Sequence, residues 1–470
     1  MTPTTRDHGR AALPAFRYAR PPRPDAAFET VPRYRRGDGG LTGRPAAGGP
    51  FSVARLAAGF TPQALDRGLF PESPWADSAR VRFAPPRPSG RSAPAEFAER
   101  FEGVLERVIG DREAVAVALA GDLESAALVD RAARVCRRTG RTLLAVTVDD
   151  ADDLGRRSRH LSERLLEHLG LRCRHLAVAA VPGRWPEPEW SEHGPRFELV
   201  PRFRSGTAIV AAEAGAEILL HGTGGERLLR ATPYLAARYL RSRSLHDLTV
   251  YWRDGREAPR FPAGELLAAM LPRTGRGRAA RLFWAWTGLG GEDGEDGRPG
   301  PLTAPMAAAA RTWSDALREE GARTVARADA TWPAAFALHR LFPYDVSPPA
   351  TGLPEAFPFL DPSFAAYAHH LPPEARYSAG HPDPALREHR LLADLLPDGI
   401  ERVIPSYGRH MYRSFDRYWR ACPLDGERCV DLGLLRPDWR RRCGGAAELA
   451  AALAAEIWVR GAEDRGAVAG

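Results

Sequence analysis

Apolar residues run unbroken from Ala114 to Ala120 (AVAVALA), which predicts a strand buried on both faces, as in a parallel sheet. A turn containing Gly121 follows, then AALVDRAARVCRRTG, where Ala127, Leu128, Ala132, Val135 and Cys136 recur at helical spacing. Strand, turn and helix make half of a βαβ unit, and the start of such a helix offers backbone N–H groups and a positive dipole end to an anion. A tight strand-to-helix turn with no ligand would use the same residues. Upstream, Phe97, Phe101, Val104, Leu105 and Val108 share one face of a helix over Glu96–Ile109. Downstream, Thr142–Val148 (TLLAVTV) reads as a second buried strand, Leu154–Leu169 as a helix closed by Gly170, and Cys173–Val178 as a third strand. The acids of Asp149–Asp153 read as a solvated cap between them. A helix, Gly215 and a strand over Glu217–Leu220 continue the alternation. Elements of these lengths in this order predict an α/β fold with a doubly wound parallel sheet, whose ligands sit at the carboxyl ends of the strands.

The flanks read differently. Residues 1–50 are rich in Pro, Gly and Arg with no apolar period, and are expected to be disordered. Residues 51–95 are expected to form a small N-terminal region of short strands and turns, and 96–465 the main domain. Residues 230–330 are helical stretches with an acidic loop at Gly288–Pro301, and Trp284 and Trp313 read as core. No run of eighteen apolar residues is present and the N-terminus lacks an apolar signal core, so neither a membrane span nor secretion is expected. Five cysteines without CxxC spacing argue against a disulfide framework or a zinc site and for a reduced, cytoplasmic protein.

The net charge of +7 is carried by arginine alone, because the chain contains no lysine. That excludes a Schiff base, a lysine general base and a P-loop lysine. The arginines are dispersed and no nucleic-acid motif is present, so a small molecule or peptide is the expected partner, not nucleic acid.

Four stretches in order resemble the asparagine synthetase family, which includes β-lactam synthetases and lasso-peptide macrolactam cyclases. Ala120-Gly121-Asp122-Leu123-Glu124-Ser125 resembles its SGGxDS pyrophosphate loop. Gly121, Leu123 and Ser125 fit, while Ala120, Asp122 and Glu124 replace Ser, Gly and Asp. Gly222-Thr223-Gly224-Gly225-Glu226 resembles the GxGxDE loop in the GTGGD form of the cyclases, with Arg227 at the second acid. PEAFPFLD (Pro354–Asp361) resembles VEARVPFLD with one residue fewer, and Asp361 is the expected N-cap of the next helix. Leu386-Arg387 and Leu395-Leu396-Pro397 fit KxLLR…LP without its lysine, and ERVIPSYGRHMYRSF lies where RxxKxxF is expected. The tail, through LAAALAAEIWVR, resembles the C-terminal helices of the cyclases.

The resemblance covers roughly residues 96–460 and implies a PP-loop, adenine-nucleotide α-hydrolase-like fold with added C-terminal helices. It implies ATP held by residues 120–123 and 125, by the backbone of Val146 and Thr147, and by Gly222–Gly225. Mg²⁺ would lie on Glu124 and Glu226. Glu355 would act as acid–base, Tyr344 as its partner, and Arg409 in place of the family's lysine, supplying charge without deprotonating. Asp122 sets a carboxylate where glycine would cradle pyrophosphate, a charge that a metal or an arginine must offset. A glutaminase is not expected, since the chain begins Met1-Thr2-Pro3 and its first cysteine is Cys136. The resemblance thus implies an ATP-dependent amide-forming ligase acting on a small-molecule or peptide carboxylate and amine, of natural-product or lasso-macrolactam type, with a precursor peptide or partner enzyme. The opposing expectation is an inactive homologue that binds a partner, which Asp122 and the missing lysine favour.

Overall fold

The computed structural model describes residues 49–65, 74–75, 96–179, 190, 194–195, 201–231, 235–257, 300–327, 352–369, 371, 373–404, 416, 419–422 and 424–469. Residues 1–48, Trp284, most of the acidic loop, Tyr344 and Arg409 lie outside them.

The sheet is built as the apolar runs predict. Strands β2 (Ala114–Ala118), β3 (Thr142–Asp149), β4 (Arg174–Ala179), β5 (Ile218–Leu220) and β6 (Glu355–Ala356) lie in the order β4-β3-β2-β5-β6, and every neighbouring pair is parallel. Chain order therefore reverses beside β2, which creates a crevice at the carboxyl ends of β2 and β5. Val115, Ala116 and Val117 of β2 are fully shielded from solvent, which is why this strand lacks polar alternation. Helices cover both faces. Helices α1 (Phe97–Ile109), α2 (Leu123–Thr139) and α3 (Ser158–His168) enclose the core that holds Val115, Val117, Ile218 and Leu220. Helix α4 (Pro201–Glu213) covers the opposite face, with Ala208 and Ala211 against Ala116, Leu144, Val146 and Leu219. Gly140, at φ +71°, ends α2 in the left-handed conformation, and its N–H donates to Cys136 O.

Beyond the sheet, α5 (Gly225–Leu229), α6 (Leu235–Arg241) and α7 (Leu245–Glu257) lead to the long α8 (Ala304–Arg327). Trp313 on α8 is half-buried. After β6, Asp361 accepts the N–H groups of Ser363 (3.0 Å) and Phe364 (3.2 Å), so it caps α9 (Pro362–His369) as expected. Arg107 adds an ion pair to the same carboxylate at 2.9 Å.

A second core joins parts of the chain far apart in sequence. Strand β1 (Pro50–Phe51) pairs in parallel with β7 (Val468–Ala469), and Phe51 and Trp75 pack edge-on against Trp458 of α10 (Ala446–Glu463), centroids 5.3 and 5.1 Å apart. Residues 53–65 form short helical turns rather than the strands expected, because Leu56, Ala57 and Phe60 bury themselves against this helix-built core. Glu456, fully buried in α10, accepts the backbone N–H groups of Arg428 (3.3 Å) and Cys429 (2.9 Å) and pairs with Arg460 at 2.6 Å. Among the described residues no helix is long and apolar enough to cross a membrane.

All five cysteines are separate thiols, and Cys136, Cys429 and Cys443 are buried. Burial pushes Cys136 up to about 11 and Cys443 up to about 12, and lifts Cys429 well above its usual value with help from Glu456. A thiolate is the reactive form, so these three are expected to resist iodoacetamide at neutral pH until the chain is unfolded in urea. Mass mapping of rapid labelling at any of the three in the native chain would contradict their packing.

Candidate functional site

The first loop follows β2 directly. Gly121 takes φ +78°, a value that suits glycine, and its α-carbon faces Leu161 of α3. Asp122 is the N-cap of α2: its Oδ1 accepts the N–H of Ser125 at 2.8 Å. The Ser125 hydroxyl closes the turn, accepting from Ala120 N and donating to Asp122 O, both at 3.2 Å. Leu123 opens α2 and packs on the main core. The exposed Asp122 carboxylate thus occupies a backbone donor that an anion at this helix start would use.

The second loop lies against the first. Gly222 leads out of β5 into Thr223, which is exposed, and Gly224, which caps α5 at φ +91°. A β-carbon on Gly222 would stand 3.1 Å from Ser125 N and 3.2 Å from Glu124 C, a tight approach to backbone that glycine avoids. Glu124 Oε1 accepts the N–H of Glu226 at 2.7 Å and ties the loops together. Gly225 rests on the Phe359 ring, 2.9 Å from where its β-carbon would be. Gly222→Ala is expected to force the loops apart, at about 1–3 kcal/mol, since the obstructing atoms are backbone. Urea unfolding measures this, and an unchanged midpoint would show that the loops do not interlock.

The two residues expected to hold Mg²⁺ therefore meet across the interlock, Glu124 through its carboxylate and Glu226 through its backbone N–H. Mg²⁺ typically takes one or two protein carboxylates and completes its shell with phosphate oxygens and water, so this donor set suits it. Among the described residues no group of three or more His, Cys, Asp or Glu side chains is placed to hold a metal without a ligand's help. The half-exposed Glu226 carboxylate also lies 3.6 Å from Arg230 and 4.0 Å from His389. Arg230 is anchored on Glu388 at 2.7 Å.

Val146 and Thr147 stand near the end of β3, both fully buried. The Thr147 hydroxyl donates to Leu119 O at 2.9 Å, and Val146 O accepts the N–H of Leu119 at 2.8 Å, so β3 braces the entry to the first loop. At the rim, Arg157 hydrogen-bonds Asp149 and holds its carboxyl below the usual carboxylate range. Arg376 lies deeper, fully buried, and donates to Leu228 O in α5 and Ala368 O in α9.

Glu355, the expected acid–base residue, is buried in edge strand β6 beside Leu219. It meets a residue not singled out from the sequence. His221, at the end of β5, sets its Nε2 3.2 Å from Glu355 Oε2. The one available signal was position: a polar residue ending an apolar strand and directly preceding the glycines.

Comparison with known proteins bears on this architecture. Among curated proteins none matches the chain. Among solved structures it is similar to the U34-tRNA thiolase NcsA from Methanococcus maripaludis with its 4Fe-4S cluster, at 12% identity over 50% of this chain and 78% of that chain, with a TM-score of 0.22. Residues 96–402, well over half of the 470, match the asparagine synthase family. That span opens with α1 and contains the whole five-stranded sheet, both loops and the Glu355 segment. The match spans more than half of the chain, including the parallel sheet and both loops, and the chain belongs to the asparagine synthase family.

Proposed function

We propose that this protein is an ATP-dependent, AMP-forming amide ligase. The reading rests on one observation above the others: Gly222 brings the second loop closer to Glu124 and Ser125 than side chains ordinarily approach, and Glu124 and Glu226 meet at the sheet's carboxyl edge. Loops that only turned the chain would have no need of so close an approach. The substrate carboxylate attacks the α-phosphate of ATP, and pyrophosphate departs toward residues 120–125. Glu124 and Glu226 would hold Mg²⁺, which would neutralise phosphate charge. Backbone at Val146 and Thr147 supports the adenine side. An amine then displaces AMP, with Glu355 near the proton transfer and Arg409 supplying positive charge.

The GTGGE form of the second loop favours an amine carried on a peptide or small molecule, as in macrolactam formation. A precursor peptide or a partner biosynthetic enzyme would then supply the substrate, in a reducing cytoplasm. The second reading, an inactive homologue that binds a partner, is favoured by the Asp122 cap on Ser125 N–H. Calorimetric titration of the full chain with Mg²⁺ and a non-hydrolysable ATP analogue separates the two. Micromolar binding supports the ligase; no binding by the wild type, with binding in Asp122→Gly, supports a retired nucleotide site.

A further inference from the structure

Resting on the ligase reading, we infer that His221 is the base that takes the proton from the incoming amine, and that Glu355 acts through it as a positioning residue. The Glu355 side chain is 3% exposed and that of His221 10%, so of the pair the imidazole is the group that reaches solvent. Its strand register sets it beside Leu219, and its carboxylate reaches up the same face of the sheet, two residues along β5, to His221. His221 stands between that carboxylate and the glycine loop, one residue before Gly222.

The ring is held on every side the structure describes. The His221 N–H donates to Ala356 O at 2.9 Å, and the imidazole stacks on Phe357, 5.1 Å between centroids and 16° from parallel. Nε2 is sealed from solvent and makes no hydrogen bond of good geometry, with the Glu355 oxygen 3.2 Å away. Nδ1 is not among the sealed atoms. A buried imidazole nitrogen facing a buried carboxylate is the arrangement by which an acid fixes a tautomer: the proton sits on Nε2 and the lone pair is left on Nδ1. This is the logic of a base oriented by a third group. A chain without lysine has no amine side chain for that role, and arginine does not deprotonate.

In the step assigned to it, the amine nitrogen forms the C–N bond with the acyl adenylate. The carbonyl carbon–oxygen bond to phosphate breaks, and AMP leaves with the electron pair. The nitrogen's proton passes to His221 Nδ1, and Glu355 faces the resulting imidazolium.

The test uses the full chain with MgATP and each common amino acid as carboxylate donor, reading AMP release at neutral pH. Glycinamide, largely protonated under these conditions, serves as one acceptor, and hydroxylamine, largely unprotonated, as the other. His221→Asn is expected to lose about 100-fold or more with glycinamide and less than about 3-fold with hydroxylamine. Equal loss with both acceptors, or loss with neither, overturns the role of His221 while leaving the ligase intact. Release of AMP by no donor sinks the ligase reading and this role together. Binding of the ATP analogue, expected to be the same in His221→Asn and His221→Gln as in the wild type, checks that both variants fold. Nitrogen-15 spectra of the histidine rings are expected to show the proton on Nε2 of His221, and loss of that preference in Glu355→Gln. A preference unchanged in Glu355→Gln overturns the positioning role of the carboxylate.

Discussion

Asp122→Gly is expected to bind the Mg²⁺ complex of ATP at least ten-fold more tightly than the wild-type chain. The Asp122 carboxylate accepts the N–H of Ser125 at 2.8 Å and caps α2, the helix that leads out of the first loop. Removing it frees a donor and takes away a negative charge. Two unit charges 4 Å apart interact by about 4 kcal/mol at an effective dielectric near 20, and ten-fold in affinity needs only about 1.4 kcal/mol. The fold should tolerate the change, since glycine in place of an aspartate cap costs only a few tenths of a kcal/mol, about 0.3. Asp122→Asn separates charge from geometry, because the amide oxygen can still cap while the charge is gone. Calorimetry on all three chains reads the effect. Equal affinities would mean that Asp122 stays clear of the phosphates, and weaker binding by the glycine variant would mean that its cap shapes the site.

Arg376→Met should lose about 3 kcal/mol or more of stability, read as a lower urea midpoint at unchanged slope. The guanidinium is completely buried and bonds Leu228 O and Ala368 O, in the final turns of α5 and α9. Carbonyls at helix C-termini carry partial negative charge, so one cation serves two helix ends. Burial pushes the guanidinium down to about 10, so it remains charged at neutral pH. Methionine fills much of the volume but donates nothing, leaving two buried acceptors unsatisfied. Because α5 carries the glycine loop, nucleotide affinity should fall along with stability. A variant of wild-type stability would mean that water replaces the guanidinium.

The sheet was legible in the sequence because burial on both faces writes itself as unbroken apolar letters. Val115–Val117 and Leu144–Val146 are such segments, and Gly140 marks its helix end by a backbone angle that few other residues adopt. Strand β6 was not legible as a strand. It is two residues long and one of them is Glu355, so neither alternation nor an apolar run could reveal it. The helical turns at 53–65 were missed for another reason. Their apolar residues are satisfied by α10, some 400 positions away, and local periodicity carries no trace of that. At the candidate site the glycines were readable, since a close approach excludes side chains. The position of Asp122 was readable too, but not the direction of its carboxylate. His221 was silent because a single histidine has meaning only beside its partner, and Glu355 is 134 residues further along the chain.

The second core also determines what light can report. Among the described residues the fully buried indoles, Trp75, Trp419, Trp439 and Trp458, all belong to it, whereas the core beneath the two loops contains no tryptophan. Those four indoles therefore report on the junction between the chain's early and late segments, while circular dichroism weights the sheet and its helices. Followed together through one denaturant titration, the two signals distinguish a molecule that melts as one cooperative unit from one whose terminal clasp opens first.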